Sequence, residues 1–196
     1  LARHLSLRPD TPLLLVTHGL SGSGKSCLTL RLLERCGALR LRSDVERKRL
    51  HGLAAQERSA DHVPGGIYGA EATERTYAAL LQGTRALLAA GWPVIVDAAC
   101  LRRTEREAFR ALAAESGVPF TLLDCQAATE TLQQRVQQRQ GRGQDPSEAD
   151  VAVLQRQLQF DEPLSADEQV GAIVCRTDDP ALDIAALAAR WQAAPR

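Results

Sequence analysis

The stretch from Leu13 to Cys36 constrains the fold of this chain more than any other feature. An apolar run comes first, then a segment rich in glycine and serine, and then an amphipathic run. The middle segment reads Gly19-Leu20-Ser21-Gly22-Ser23-Gly24-Lys25-Ser26, which fits the G-x-x-x-x-G-K-[ST] pattern of a phosphate-binding loop. That loop requires a strand before it and a helix after it, and the flanking runs predict both. An ordinary helix preceded by a glycine-rich turn is the alternative, and these flanks disfavour it.

The residue types in this loop suit the phosphates of a nucleotide. Glycines let the backbone turn so that several N–H groups point at one anion. A helix that begins near Lys25 adds the positive end of its dipole. Lys25 is expected to reach the β- and γ-phosphates, and the Ser26 hydroxyl to bind Mg²⁺. The predicted nucleotide-binding residues are Gly19, Leu20, Ser21, Gly22, Ser23, Gly24, Lys25, Ser26 and Cys27.

Composition narrows the function classes. The 196 residues carry 24 basic and 24 acidic side chains, and this zero net charge argues against a broad nucleic-acid-binding face. Aromatic residues make up only 4%, so stacking platforms for single strands are scarce. No apolar run approaches the roughly 18 residues of a membrane span. The five cysteines have no metal-binding spacing and lie in or beside apolar elements, which predicts buried, reduced thiols in a cytoplasmic protein.

The sequence contains no methionine, not even at position 1. We therefore expect the chain to derive from a longer polypeptide. Residues 1–12, with two prolines, are expected to be a linker from an upstream region. Residues 13–196 are expected to form one domain, with a lid near residues 135–147.

Apolar strands alternate with amphipathic helices along the rest of the chain. The predicted strands are Leu13–Thr17, Ala38–Arg42, Val94–Asp97, Phe120–Cys125 and Val170–Arg176. The predicted helices are Lys25–Arg35, Val45–Leu50, Glu71–Ala90, one capped by Thr104, Thr129–Gln140, one capped by Ser147, and one begun by Asp179-Pro180. Such alternation predicts an α/β fold whose parallel sheet is covered on both faces. The polar stretch from His51 to Gly69 is too long for a plain connector and is interpreted as a substrate-side loop.

Two aspartates are expected beside the phosphate loop, because ligands bind at the carboxyl ends of parallel strands. Asp97 closes an apolar strand, which is the pattern of a carboxylate that holds Mg²⁺ together with Ser26. Asp44 follows the second strand, where it is expected to orient or deprotonate an acceptor hydroxyl. The alternative for Asp44 is a helix N-cap, and the two roles are compatible. Arg47 lies one helical turn further on and is the preferred contact for an anionic substrate.

Three arginines lie close together in the second half of the chain. A lid that closes over ATP must bring positive charge to the transferring phosphoryl group, and Arg135, Arg139 and Arg142 are candidates for this role. An exposed, arginine-rich helix end is the alternative.

Other polar residues carry weaker predictions. Arg102 and Arg103, which follow Asp97, are candidate substrate contacts, although a solvated position is the commoner outcome. His51, His62 and Tyr68 receive no role beyond a candidate substrate contact. For Lys48 and Arg49 we prefer a solvated charged face.

Four segments resemble a known family. They are GLSGSGKS, LRSDVERKRL, VIVDAACLRRTEREAF and an arginine-rich break followed by DPSEADVAVLQRQL. They are similar to the bacterial "predicted kinase" domains of AAA-type ATP-binding proteins. More narrowly, they resemble the domain that lies C-terminal to an aminoglycoside-phosphotransferase-like domain in bifunctional bacterial proteins. These domains are related in fold to gluconate kinase and to the kinase part of phage polynucleotide kinase.

The resemblance implies a three-layer P-loop fold of nucleoside-monophosphate-kinase type, with five parallel strands in the order 2-3-1-4-5. It also implies ATP with Mg²⁺ and a base at Asp44. It implies lid arginines as well, but it assigns that role to the arginine cluster and not to any one of its residues. Cys27 departs from the threonine usual at its position. The resemblance supplies no acceptor.

We therefore predict a cytoplasmic kinase that transfers the γ-phosphoryl group of ATP to a hydroxyl of a small molecule, with an anionic acceptor as one candidate. Two alternatives are kept open. One is a 5′-hydroxyl polynucleotide kinase, which would need a basic groove made by Arg42, Arg47 and Arg49. The other is a regulatory module that binds ATP without acceptor chemistry.

Overall fold

The structure is a computed structural model that describes residues 12–59, 67–142 and 145–194. Its strands are β1 (Leu14–His18), β2 (Leu39–Arg42), β3 (Val94–Asp97), β4 (Phe120–Gln126) and β5 (Ala172–Arg176). Its helices are α1 (Lys25–Cys36), α2 (Ser43–Leu50), α3 (Ala70–Ala89), α4 (Arg103–Glu115), α5 (Thr129–Arg142), α6 (Val151–Phe160), α7 (Ala166–Gly171) and α8 (Ile184–Gln192). The predicted linker, except Pro12, and His62 lie outside the described residues.

The strands of the described ranges form one parallel sheet in the order β2-β3-β1-β4-β5. This confirms the predicted fold. Arg42 lies opposite Asp97 in the register of β2 and β3, and His18 lies opposite Asp124 in that of β1 and β4. The carboxyl ends of the strands therefore meet along one edge, which the phosphate loop also reaches.

Helices cover both faces of the sheet. On one face, Leu15 of β1 packs with Leu32 of α1 and Trp191 of α8. On the other, Val16 packs with Leu80 of α3 and Phe109 of α4. Because β1 is covered on both sides, all five of its residues are buried, which explains why its sequence is apolar without alternation. A smaller cluster joins α5 and α6 through Leu132, Val136 and Leu154.

Several predicted boundaries were wrong. Helix α4 begins at Arg103, with Glu105 accepting the Arg102 N–H, so Thr104 is not its cap. Asp150, not Ser147, caps α6, and Asp183, not Asp179, caps α8. For Ser147 and for Asp179, a stretch without helical structure separates the predicted cap from the helix. The predicted start of β5 is occupied by α7, which a Ser165–Glu168 capping box initiates.

Candidate active site

The end of the phosphate loop and the first turn of α1 present backbone N–H groups to the pocket. Gly24, at the N-cap of α1, has a φ of 81° and supplies no side-chain cap, and the first turn of α1 contains no acidic residue. The first N–H groups of a helix lack partners within the helix, so this end attracts an anion. Gly22 also has a positive φ, and a Cβ there would lie 2.6 Å from the Leu132 carbonyl oxygen. The loop is therefore held tightly from behind while its donors remain available in front.

Lys25 folds back over this loop. Its Nζ donates to the carbonyl oxygens of Gly19 and Leu20, both at 2.7 Å, and to Ser23 Oγ at 3.2 Å. Burial lowers the pKa of the Lys25 ammonium group, whereas the carboxylates of Asp97 and Asp44 act in the opposite direction. The ammonium group thus lies at the loop that is expected to bind phosphate. Until a phosphate binds, the loop carbonyls accept its hydrogen bonds.

Ser26 and Asp97, the predicted magnesium ligands, share a cationic neighbour. Arg42 Nη2 donates to Ser26 Oγ at 3.3 Å, and Arg42 Nε lies 3.3 Å from Asp97 Oδ2. Asp97 is buried, and its Oδ2 has no hydrogen-bond partner of good geometry among the described residues. Burial raises the pKa of Asp97, an effect that Arg42 and Lys25 oppose. The Ser26 hydroxyl and the under-bonded Oδ2 of Asp97 are a suitable partial ligand set for Mg²⁺, and Arg42 now occupies the cationic position beside them.

Asp44 lies on the opposite side of the pocket, at the start of α2. Its Oδ1 accepts from Tyr68 OH at 3.2 Å and from Arg47 Nη1 at 3.4 Å. The Arg47 guanidinium group lies 4.8 Å from the centroid of the Tyr68 ring. Arg47 is buried, with an Nε that has no hydrogen-bond partner in the described part of the chain. Asp44 and Arg47 are therefore brought together, as predicted, while Tyr68 was named without a role.

Arg135 contacts the back of the phosphate loop. Its Nη1 donates to the Gly22 carbonyl at 3.2 Å and to Thr177 Oγ1 at 2.9 Å, and its Nη2 donates to the Thr177 carbonyl at 3.0 Å. Thr177 Oγ1 in turn donates to the Ser23 carbonyl at 2.8 Å. Sequence reasoning missed Thr177. Its signal was available, because it directly follows β5 and so lies at the carboxyl edge of the sheet.

The segment from Asp145 to Ala149 contacts both α5 and α2, and Asp145, Ser147 and Ala149 line the pocket. Arg139 Nη2 donates to the Ala149 carbonyl, and Arg42 Nη2 contacts Asp145 Oδ1 at 3.2 Å. We call residues 145–149 the docking segment. Arg142 ends α5, and its side chain lies outside the described part of the structure.

A buried lysine anchors the docking segment, contrary to the solvated position preferred for it. Lys48 is 1% exposed, and its Nζ lies 2.9 Å from Glu148 Oε1. Glu148 also accepts from Ser59 N at 2.8 Å and from Ser59 Oγ. The docking segment covers Lys48, and no local sequence pattern indicated this distant partner. Arg49, in contrast, is exposed and pairs with Glu46, as preferred.

These groups surround one pocket of about 750 Å³. Its lining includes the predicted residues Gly22, Gly24, Lys25, Ser26, Cys27, Asp44, Arg47, Asp97, Arg102, Arg135 and Arg139. Arg103 does not line it, because its guanidinium group pairs with Glu107 and Asp167 on the surface. His51 ends α2 and also lies outside the lining. The prediction that all five cysteines are buried was wrong for Cys27, which is exposed in the first turn of α1.

Helix α6 contributes contacts that the sequence did not indicate. Gln157 Oε1 accepts the Ser21 N–H of the phosphate loop at 2.8 Å. Asp161, which follows α6, lies 3.5 Å from Nε2 of the buried His18, whose Nδ1 lies 2.8 Å from Asp124 Oδ1. These contacts hold α6 across the loop. No local sequence pattern distinguishes these side chains from ordinary surface residues.

A family comparison agrees with this arrangement. The model of a family described as "AAA domain" matches residues 14–164, which span the phosphate loop, both aspartates and the docking segment. This chain belongs to the AAA domain family.

Solved structures share the fold of this AAA domain. A sugar kinase from Janibacter sp. HTCC2649 is 22% identical, covers 92% of this chain and 94% of its own, and superposes with a TM-score of 0.67. A gluconokinase from Sinorhizobium meliloti 1021 is 22% identical, with 91% and 89% covered and a TM-score of 0.61. The APS kinase CysC of Mycobacterium tuberculosis, in complex with AMPPNP and APS, is 18% identical, with 92% and 95% covered and a TM-score of 0.60. At these identities the likeness shows a shared fold alone.

A curated relative is longer than this AAA domain. An uncharacterized protein of Mycobacterium tuberculosis, Rv2004c, is 28% identical over 156 residues, which are 79% of this chain but only 31% of the relative. The chain therefore spans about a third of the length of the curated relative it matches. Within the described ranges, no helix is both long and apolar enough to cross a membrane.

Proposed function

We propose that this domain is a kinase that uses ATP and Mg²⁺ to phosphorylate a hydroxyl of a small molecule. One observation carries the proposal. A single pocket has an uncapped helix N-terminus with its phosphate loop on one side and the Asp44 carboxylate on the other. The first feature suits the phosphates of ATP, and the second suits the proton of an attacking hydroxyl.

The roles of the residues follow from their positions. The loop N–H groups and Lys25 would hold the phosphates of ATP, and Ser26 and Asp97 would hold Mg²⁺. The chemistry that Mg²⁺ would supply there is neutralisation of phosphate charge. The acceptor oxygen attacks the γ-phosphorus as its proton passes to Asp44, the bond from the γ-phosphorus to the bridging oxygen breaks, and ADP leaves. Arg139, and Arg142 as its predicted companion, stabilise the charge on the transferred group.

Arg135 has a different proposed role from Arg139. Its three hydrogen bonds go to Gly22 and Thr177, so it supports the phosphate loop as well as lining the pocket. We propose that it acts on the transferring phosphoryl group mainly by holding the loop in shape.

An anionic acceptor is favoured on the Asp44 side. Arg47 is buried with an under-bonded Nε, and Arg102 also lines the pocket. Sugar, gluconate and APS kinases among the structural neighbours are consistent with a small-molecule acceptor. The polynucleotide kinase alternative has less support, because Arg42 contacts Asp97 and Asp145 and Arg49 contacts Glu46 instead of forming an open groove.

Two further predictions remain proposals. A cytoplasmic location is consistent with five cysteines that are all free thiols. The aminoglycoside-phosphotransferase-like partner domain is consistent with a curated relative about three times as long as the matched region.

Acceptor-stimulated release of ADP tests the proposed function. The panel comprises neutral sugars, sugar acids including gluconate, adenylyl sulfate and a short 5′-hydroxyl oligonucleotide. We expect Asp44→Asn to bind ATP normally but to lose about 10²- to 10⁴-fold of the acceptor-dependent rate. Lys25→Ala should lose both ATP affinity and turnover, and Arg49→Ala is the matched control.

Two outcomes would contradict the proposal. Full acceptor-dependent turnover by Asp44→Asn would remove Asp44 from the chemistry. Tight binding of ATP with no transfer to any member of the panel, and no effect of Asp44→Asn, would favour the regulatory module instead.

A further inference from the structure

The docking segment and Asp44 are joined by one side chain, that of Tyr68. The Tyr68 hydroxyl accepts the backbone N–H of Glu148 at 3.0 Å and contacts Asp44 Oδ1 at 3.2 Å. A phenol has a single hydrogen, so accepting from Glu148 leaves that hydrogen for the Asp44 carboxylate. Burial and the nearby charge of Asp44 raise the pKa of Tyr68, which keeps the hydroxyl protonated as a donor. The direction of the hydrogen bond is therefore fixed by the geometry.

Three contacts hold the docking segment in the position from which Glu148 reaches Tyr68. Ser59 donates twice to the Glu148 carboxylate, and Lys48 Nζ lies 2.9 Å from it. Burial alone would raise the pKa of Glu148, but the bonds from Ser59 and Lys48 outweigh it and keep the pKa below its usual value. Glu148 is therefore charged near neutral pH, and its ion pair with Lys48 is intact.

We propose that Tyr68 is a positioning residue that links the docking segment to Asp44. With the segment in place, Tyr68 fixes Asp44 Oδ1, and Arg47 contacts the same oxygen at 3.4 Å. The other oxygen, Oδ2, is then the one left for the acceptor hydroxyl. With the segment away, Tyr68 loses the Glu148 donor and Asp44 loses its fixed orientation. This inference rests on the proposed role of Asp44, and it gives Tyr68 a function.

Amide hydrogen exchange tests the contact without any acceptor. The sequence has two tyrosines, Tyr68 and Tyr77, and each accepts one backbone N–H at 3.0 Å, from Glu148 and from Cys100 respectively. We expect Tyr68→Phe to speed exchange at the Glu148 amide by about fivefold and to leave the Cys100 amide unchanged. Tyr77→Phe should do the reverse. Equal exchange at Glu148 in wild type and Tyr68→Phe, with or without Mg²⁺-AMPPNP, would overturn the inference.

Steady-state kinetics then test the consequence for Asp44, using whichever member of the acceptor panel is phosphorylated. Tyr68→Phe should lower kcat about tenfold, because it removes a hydrogen bond to a charged group, and should leave the KM for ATP unchanged. In the Asp44→Asn background the same substitution should have little further effect. A loss confined to KM, or a fully additive effect, would indicate a merely structural tyrosine.

Failure of the inference is distinguishable from failure of the proposed function. No transfer to any acceptor rejects the proposed function, and full turnover by Asp44→Asn rejects the role of Asp44. An inactive Asp44→Asn beside a fully active Tyr68→Phe rejects only the inference. If Tyr68→Phe does not fold, Ser59→Ala weakens the same attachment from its other end. We then expect faster exchange at Glu148 and a kcat about threefold lower, and no change in either quantity would overturn the proposal.

Discussion

The phosphate side of the pocket comes from one continuous stretch of chain, whereas the acceptor side is assembled from segments far apart in sequence. Residues 19–27 supply the loop, Lys25 and Ser26, and their shape is set by glycines and by the start of α1. Asp44, Tyr68 and Glu148 meet on the other side through hydrogen bonds that span up to 80 positions. The groups of the phosphate side therefore come from one local stretch, which Gln157, Arg135 and Thr177 support from a distance. The groups of the acceptor side are brought together mainly by long-range polar contacts.

Gly22→Ala is expected to give the largest effect, because it changes the backbone conformation of the phosphate loop. The new Cβ would lie 2.6 Å from a backbone oxygen at a φ of 84°, so the loop must shift. We expect ATP affinity to fall about 100-fold or more, measured by calorimetry. Gly37→Ala is the matched control, since Gly37 has a φ of 62° but nothing within 4 Å of its Cβ position. It should cost about 1–2 kcal/mol of stability and leave ATP affinity unchanged.

The same difference between contiguous motifs and long-range contacts explains which site residues the sequence could predict. Lys25 and Ser26 were identified because a contiguous motif specifies them, and Asp97 because an apolar strand ends there. The sheet order followed from resemblance, and the alternation of strands and helices supported it. Lys48 was misjudged, since the residue that buries it lies 100 positions away and no local pattern links the two. Gln157 was missed for the same reason. Thr177 and the helix α7 were missed although local signals existed, namely the end of β5 and the Ser165–Glu168 capping box.

Glu168 tests whether long-range ion pairs support the acceptor side. Both Arg106 and Glu168 are buried, their atoms approach to 2.6 Å, and Arg106 also binds the carbonyls of Cys100 and Leu101 behind the pocket. Burial opposes the charge of Glu168, but the bonds from Arg106 and Ser165 prevail and lower its pKa from 4.5 to about 2. A depressed pKa contributes stability above pH 4.5 that is lost as the pH falls toward 2.

The expected loss is about 3 kcal/mol across that window. Urea unfolding of wild type between pH 7 and pH 2.5 should show this decline, and Glu168→Gln should flatten it. Glu115→Gln is the control, because Glu115 and Arg85 form an exposed pair at 2.9 Å. Parallel pH curves for wild type and Glu168→Gln would contradict the assignment.

Lys48→Ala should destabilise the protein by about 2 kcal/mol, since it leaves the Glu148 carboxylate without its buried cation. Arg49→Ala is the neighbouring control. Its side chain is 63% exposed, and a surface ion pair of this kind contributes about 0.5 kcal/mol or less. Thermal denaturation of the two variants checks the difference. Equal losses would mean that the acceptor side does not depend on this contact.

Arg42→Ala addresses the point where the two sides meet, and its expected effect is the smallest. The guanidinium group contacts Ser26, Asp97 and Asp145 at 3.2–3.3 Å, so it occupies the space between the proposed magnesium ligands and the docking segment. A cation in this position repels Mg²⁺, but Arg42 can turn toward Asp145 and relieve most of the repulsion.

We therefore expect Arg42→Ala to bind Mg²⁺ about threefold more tightly in the presence of AMPPNP, measured by titration of Mg²⁺ into the nucleotide complex. Arg49→Ala should leave this affinity unchanged. Weaker binding of Mg²⁺ by Arg42→Ala would mean that Arg42 orients the metal ligands instead of competing for them. In that case the proposed metal ligands would also be oriented by a long-range contact, and the contrast between the two sides would narrow.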